Sequence, residues 1–343
     1  MKDMIELLRR LCSSSGVSGE ERAVAQVICN ELTPYVNHVR IDDNGNVIAE
    51  MGDDQAEQHI LLDAHMDQIG LIVTGIDKEG FLRVAACGGI DRRVLMGSRV
   101  CIYGTQQITG VISCLPPHLT KGGEEQVPSI DQLAIDTGLC KQEIERMVKP
   151  GDRIVLDAPF QTLIGKKISS PSLDDRAGVA VLVRCAELLS QKPLSCCLSL
   201  VCSVQEETGG SGAKTASYSL NPTEAVIVDV SYAEQPEVPS EKSGKMGDGP
   251  MIGISPTLSK SISDCLMQIA KENRIPYQLE VMGGSTGTNA DEISNARGGI
   301  PSGVVSIPLR NMHTQAEIID WQDVESTASL LAAYVEKGGV AHD

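Results

Sequence analysis

The sequence predicts an α/β protein carrying a β-rich insertion, and three observations predict it. From Ser172 onward, helical and strand-like patterns alternate, as in parallel βαβ units. Near-continuous apolar runs, such as Ile60-Leu61-Leu62 and Ala225-Val226-Ile227-Val228, have the composition of strands buried on both faces. Between Gly70 and about Leu163 the texture changes to short alternating runs divided by Gly and Pro, the punctuation of a small β-barrel or sandwich. The expected division is an α/β domain, 1–67 plus 164–343, split by an insertion over 68–163.

The elements follow in order. Ile5, Leu8 and Leu11 keep helical spacing, and Gly16-Val17-Ser18-Gly19 breaks it. Ser18 and Glu21 read as a capping box for a second helix that runs to about Leu32. Residues 39–41 and 47–50 read as a hairpin around Asp43-Asn44-Gly45-Asn46. Residues 59–64 form the next strand. Within the insertion, short strands are expected at 71–73, 81–84, 99–102, 108–112 and 153–156, with one amphipathic stretch at about 131–148.

Bulk properties narrow the function. Hydrophobic residues make up 41% and charged residues 22% of 343, as in ordinary globular proteins. No run reaches the ~18 apolar residues that cross a bilayer. Asp3 and Glu6 stand where a signal peptide would have a basic start, so a cytoplasmic location is expected. A net charge of −17 argues against nucleic acid and membrane as partners. The 11 cysteines include no Cys-x-x-Cys pair and read as free thiols of a reducing compartment.

Chemistry-bearing residues recur where apolar runs end. His65-Met66-Asp67 follows Ile60-Leu61-Leu62, and Asp174-Asp175 opens a helical pattern. Glu206-Glu207 closes the run 198–205, Asp229 ends the run 225–228, and His313 follows 303–307. Open α/β sheets bind ligands at the carboxyl ends of their strands, so these positions point to one site. Two imidazoles with three to five carboxylates suit a pair of zinc-like or cobalt-like ions, which makes the chain read as a two-metal hydrolase. His65 and Asp67 lie two apart on a strand, so one can ligate while the other orients the ring. Asp174 by itself is better explained as an acid at a helix N-terminus. Of Glu206 and Glu207, one can hold metal while the other serves as general base.

Several segments carry a resemblance. Ala64-His65-Met66-Asp67-Gln68-Ile69-Gly70, Leu173-Asp174-Asp175-Arg176, Val204-Gln205-Glu206-Glu207, Val228-Asp229-Val230 and Met312-His313-Thr314 resemble the M42 metallo-aminopeptidases, the tetrahedral aminopeptidase group. Gly287-Thr288-Asn289-Ala290-Asp291 and Pro301-Ser302-Gly303-Val304 match as well, and the likeness covers nearly the whole chain. It implies a zinc-exopeptidase-like mixed sheet flanked by helices, with an inserted small β-barrel or PDZ-like domain. It further implies two Zn²⁺ or Co²⁺ ions per subunit. His65 and Asp229 would bind one, Glu207 and His313 the other, with Asp174 bridging both. Glu206 would deprotonate a metal-bridging water, Asp67 would orient His65, and a cis peptide would follow Asp174. Gln68 departs from the Glu of many members. The implied activity is removal of the N-terminal residue from peptides with a free N-terminus. The implied assembly is a homo-oligomer, a tetrahedral dodecamer of dimers joined through the insertion.

A related di-metal amidohydrolase, a deacetylase or carboxypeptidase, is the alternative. A glycosidase is disfavoured, because Glu206 and Glu207 as strand neighbours face opposite ways rather than flanking one bond. A non-catalytic binding protein would be free to lose Glu206. The Gly-rich runs 209–214 and 283–287 lack a phosphate-loop pattern and read as tight turns beside the cleft. His38, His59, His118 and His342 read as surface or structural, and loops 231–249 and 282–289 are expected to shape the substrate pocket.

Overall fold

In the computed structural model, residues 3–113 and 127–340 are described, and an 11-stranded mixed sheet forms the body. Its centre is four parallel strands in the order Cys197–Ser203, His59–His65, Glu224–Tyr232 and Ser302–Arg310. On one side the hairpin His38–Ile41 and Val47–Gly52 adds antiparallel strands. On the other, Glu317–Asp320, Lys167–Ser170 and Gln161–Thr162 continue the sheet. Met251–Ile254 branches from Ser302–Arg310 and carries Gln278–Val281 as an outer strand.

Two buried faces explain the missing alternation in the apolar runs. Ile60, Leu62, Leu198, Leu200, Val226 and Val228 face one layer of helices, Met4–Cys12, Arg22–Leu32, Leu173–Leu189, Lys260–Glu272 and Trp321–Glu336. Their sequence neighbours Leu61, Val201, Ala225 and Ile227 face Ser211–Leu220 and Ala290–Ile293 on the opposite side. Each fully buried Leu, Ile or Val contributes roughly 1.5–3 kcal/mol relative to exposure.

Between the strands His59–His65 and Lys167–Ser170 the chain builds a second core. Six antiparallel strands close a barrel in the order Gly70–Ile76, Leu82–Cys87, Ile135–Asp136, Gln107–Ile112, Arg99–Tyr103 and Arg153–Leu156. Leu71, Val73, Leu82, Val100, Ile102 and Ile154 fill it.

Three local expectations give way. The amphipathic stretch at 131–148 is no long helix: it holds a 3₁₀ turn at Ile130–Gln132, the strand Ile135–Asp136 and one helical turn at Lys141–Ile144. Leu133 and Ile135 are drawn into the barrel core, and Gly138 at φ 73° breaks any continuous helix. The capping box at Ser18 does not form, because the helix Arg22–Leu32 starts without a side-chain cap and Ser18 donates to Asp67 instead. Gln161–Thr162, counted with the insertion in the sequence, pairs with the large sheet. The ten described cysteines are free. Among the described residues, no helix is long and apolar enough to cross a membrane. His118 and His342 lie outside the described residues.

Candidate active site

The carboxyl edge of the parallel strands gathers the chemistry. His65 ends its strand in register with Ser203, which ends the neighbouring one, and Glu206 and Glu207 follow just beyond. Asp229 lies opposite Ser306 on the next pair of strands. His313 follows Ser302–Arg310 in a left-handed conformation, φ 61°. Asp174 and Asp175 enter from the start of Leu173–Leu189, where the backbone leaves helical geometry and the peptide between them is cis. His65, Asp174, Glu206, Glu207, Asp229 and His313 thus line one cavity of about 270 Å³. Asp67 is fully buried beside it.

Asp174 sits between the two imidazoles. Its Oδ1 is 3.0 Å from His65 Nε2 and its Oδ2 is 3.2 Å from His313 Nε2. Asp229 Oδ1 stands 3.9 Å from His65 Nε2, and Glu207 Oε1 stands 3.4 Å from His313 Nε2. Each ring is held from its far side. His313 Nδ1 donates to the Gly89 carbonyl at 2.9 Å, and His65 Nδ1 faces the Asp67 carboxylate at 3.3 Å. Those partners accept only, so both rings turn Nε2 toward Asp174, the orientation of metal-ligating histidines. Asp67 also accepts from Ser18 Oγ at 2.5 Å and from the Glu206 and Glu207 amides at 3.0 and 3.3 Å.

The charge balance is strongly acidic. Five carboxylates, Asp174, Glu206, Glu207, Asp229 and Glu280, line the cavity, and among the described residues no lysine or arginine does. Burial lowers the His65 imidazole, but its bonds to Asp174 and Asp67 outweigh that and raise it well above its ordinary value. His313 rises to about 11 against its burial, through Asp174 and Glu207. Burial pushes Glu206 up to about 7; His65 opposes the rise and Glu207 and Asp174 add to it. Burial likewise raises Asp229 well above the carboxylate range. Each shift raises the affinity of this acidic pocket for positive charge. The donor set fits cations: His65, Asp174 and Glu207 offer ligand atoms within 4.8 Å of one another, and so do His65, Asp175 and Asp229. Asp175 Oδ2 is buried without a hydrogen-bond partner.

The M42 glutamyl aminopeptidase family model matches residues 45–330. The chain belongs to the M42 family. Among its relatives, a lysyl aminopeptidase of Pyrococcus furiosus is 33% identical over 97% of this chain and 96% of its own. Among solved structures, an aminopeptidase of Desulfurococcus kamchatkensis superposes with a TM-score of 0.92 at 34% identity, covering 97% of this chain and 94% of that one. The TET1 peptidase of Pyrococcus horikoshii gives a TM-score of 0.86 at 32% identity, covering 97% and 99%. Membership makes this chain a peptidase hydrolase of aminopeptidase type.

In this M42 chain, further residues reach the site to which sequence reading attached no role. Glu317, buried, accepts the Asp174 amide on Oε2 and the His313 amide on Oε1, both at 3.1 Å, and so ties the two together. Gly88 and Gly89 bring barrel backbone against Glu207 and His313; a Cβ on Gly89 would lie 3.0 Å from His313 Nδ1. Glu280 lines the cavity from the outer strand. Asp175 approaches His65 and Asp229, although the sequence reading attaches a role only to its neighbour Asp174. Val230, Ser231, Tyr232, Met282, Thr286, Gly287, Thr288, Ser306 and Met312 complete the lining, mostly from the two stretches expected to shape the pocket.

Proposed function

We propose that the chain is a two-metal aminopeptidase that removes the N-terminal residue from peptides with a free N-terminus. The observation that carries this reading is Asp174, one carboxylate whose two oxygens address the two imidazoles. His65 and Asp229 would hold one ion, His313 and Glu207 the other, and Asp174 both. Two divalent ions, zinc or cobalt, supply Lewis acidity toward the scissile carbonyl and lower the pKa of water at the site.

The residues of the chain do the rest. Glu206 lies beside Glu207, and the bonds that their amides make to Asp67 fix the turn that carries it. Glu206 lines the cavity yet belongs to neither group of candidate ligands, which suits a carboxylate that takes a proton from the attacking water and hands it to the leaving amine. Asp67 holds the His65 ring, and Glu317 fixes the backbones of Asp174 and His313.

The same reading extends to assembly. The TET1 peptidase of Pyrococcus horikoshii can assemble into a tetrahedron or a large octahedral shell. We expect this chain to form a homo-oligomer, a tetrahedral dodecamer of dimers with domain 68–163 at the dimer contact, in the cytoplasm. The names of the relatives do not decide the preferred side chain, since lysyl and glutamyl are opposite in charge.

Hydrolysis of free-amine aminoacyl-p-nitroanilides by metal-stripped and Zn²⁺- or Co²⁺-restored protein tests the assignment. Release should require metal, and Glu206→Gln should lower kcat by on the order of 10²–10⁴-fold. Cleavage of acylated or blocked substrates alone would replace the aminopeptidase by a deacetylase or carboxypeptidase.

A further inference from the structure

Glu280, on the outer strand Gln278–Val281, lines the same cavity as the two imidazoles. Side chains alternate along the strand: Leu279 and Val281 are 50% and 72% exposed, and Glu280 turns into the cavity. Its Oε1 accepts from Ser231 Oγ, and its Oε2 accepts from Ser306 Oγ at 2.6 Å. Each serine hydroxyl has one proton, and both are given to Glu280. The carboxylate and the two hydroxyl oxygens therefore face the cavity as acceptors only. Glu280 has no cationic partner among the described residues, and no lysine or arginine among them lines the cavity.

Position decides what such a wall can bind. Ser306 is the register partner of Asp229, and Ser231 lies two residues past Asp229, about 6–7 Å along the strand. Val230, Tyr232, Met282 and Met312 give apolar surface in the same cavity. That arrangement takes a long side chain with an apolar stem and a cationic end. An acidic side chain would meet carboxylates on every side, and an aliphatic one would cover Glu280 without pairing it.

We infer that the N-terminal residue removed by this enzyme carries a cationic side chain, lysine or arginine, held by Glu280 with Ser231 and Ser306. The inference rests on the aminopeptidase reading and names the substrate class of that same site.

The test is kcat/KM of the metal-loaded protein on Lys-, Arg-, Leu-, Ala- and Glu-p-nitroanilide, with Glu280→Gln and Glu280→Lys beside it. The unsubstituted chain should favour Lys and Arg over Leu by about 10-fold or more, a ranking that needs no variant to fold. Glu280→Gln should cut the Lys and Arg values by about 10–100-fold and change Leu by less than about 3-fold. Glu280→Lys should move the preference to Glu. Equal loss on every substrate would assign Glu280 to the α-amine and overturn the inference, as would an unchanged Lys rate or a native preference for Leu or Glu. Cleavage of Leu and Ala without a basic preference sinks the inference alone; cleavage of none of the five sinks the aminopeptidase reading with it.

Discussion

Single carboxylates organise this molecule by what they accept. Asp67 gathers His65, Ser18 and two amides; burial pushes its carboxyl up, yet these bonds hold it below its ordinary value. Arg176 is the cationic counterpart, fully buried and donating to the carbonyls of Leu11, Ser14 and Met66 and to Gln68 Oε1. Burial brings its guanidinium down to about 10. Asp291 does for the pocket loop what Asp67 does for the metal edge, accepting from Ser285 Oγ and from the amides of Thr286 and Gly287. Burial raises its carboxyl, but those bonds prevail and leave it below its ordinary value. A carboxyl depressed in the folded state contributes stability that is complete above its unfolded pKa and lost as pH falls through the folded one. The contribution of Asp291 therefore begins to fade below about pH 4 and is gone only once pH has passed through its lower folded value. Amide hydrogen exchange across 285–288 should speed up there, while Asp291→Asn should show fast exchange already at pH 7. Because Thr286, Gly287 and Thr288 line the cavity, the same variant should raise KM by about 2–5-fold with kcat little changed. An unaltered exchange rate would show that the loop is held by other contacts.

Elements differ in how far the sequence exposes them. The parallel strands are legible because both faces are buried and the chain writes four or five apolar residues in a row, as in 225–228. The polar residue that ends each run then reads as lying at the carboxyl edge, which is how His65 and Asp229 stand out. Residues 131–148 are not legible, since helix-like spacing there serves a short barrel strand and two separate turns. Glu280, Glu317 and Gly89 are hidden for another reason: each does its work across a contact distant in sequence, Glu317 to Asp174 and Gly89 to His313. Ser18 misleads locally for the same reason, because a partner 49 residues away outcompetes the helix terminus. The turn after Leu82–Cys87 gives a direct test of such a contact. Gly89→Ala sets a methyl 3.0 Å from His313 Nδ1, so ring or loop must give by a few tenths of an ångström. Metal titration should then show one of two sites weakened by roughly 10-fold. Two unchanged sites would mean that the loop yields instead.

At the scale of the whole molecule, the proposed two-metal reading makes folding depend on cations through the acidic centre. Chelation leaves buried carboxylates facing one another without metal, and restoring ions in about 100-fold excess over their Kd should raise Tm by roughly 5 °C per site. A Tm indifferent to chelator would mean that protons alone balance the centre. The placement of the barrel has a further consequence, in the order of events at the ribosome. Both neighbours of His59–His65 in the sheet, Cys197–Ser203 and Glu224–Tyr232, are made long after it, whereas all six barrel strands lie between. The emerging chain can close the barrel, a self-contained set of antiparallel pairs, while His59–His65 still waits with both backbone edges open. For more than 130 residues of synthesis that apolar strand is the nascent protein's exposed liability.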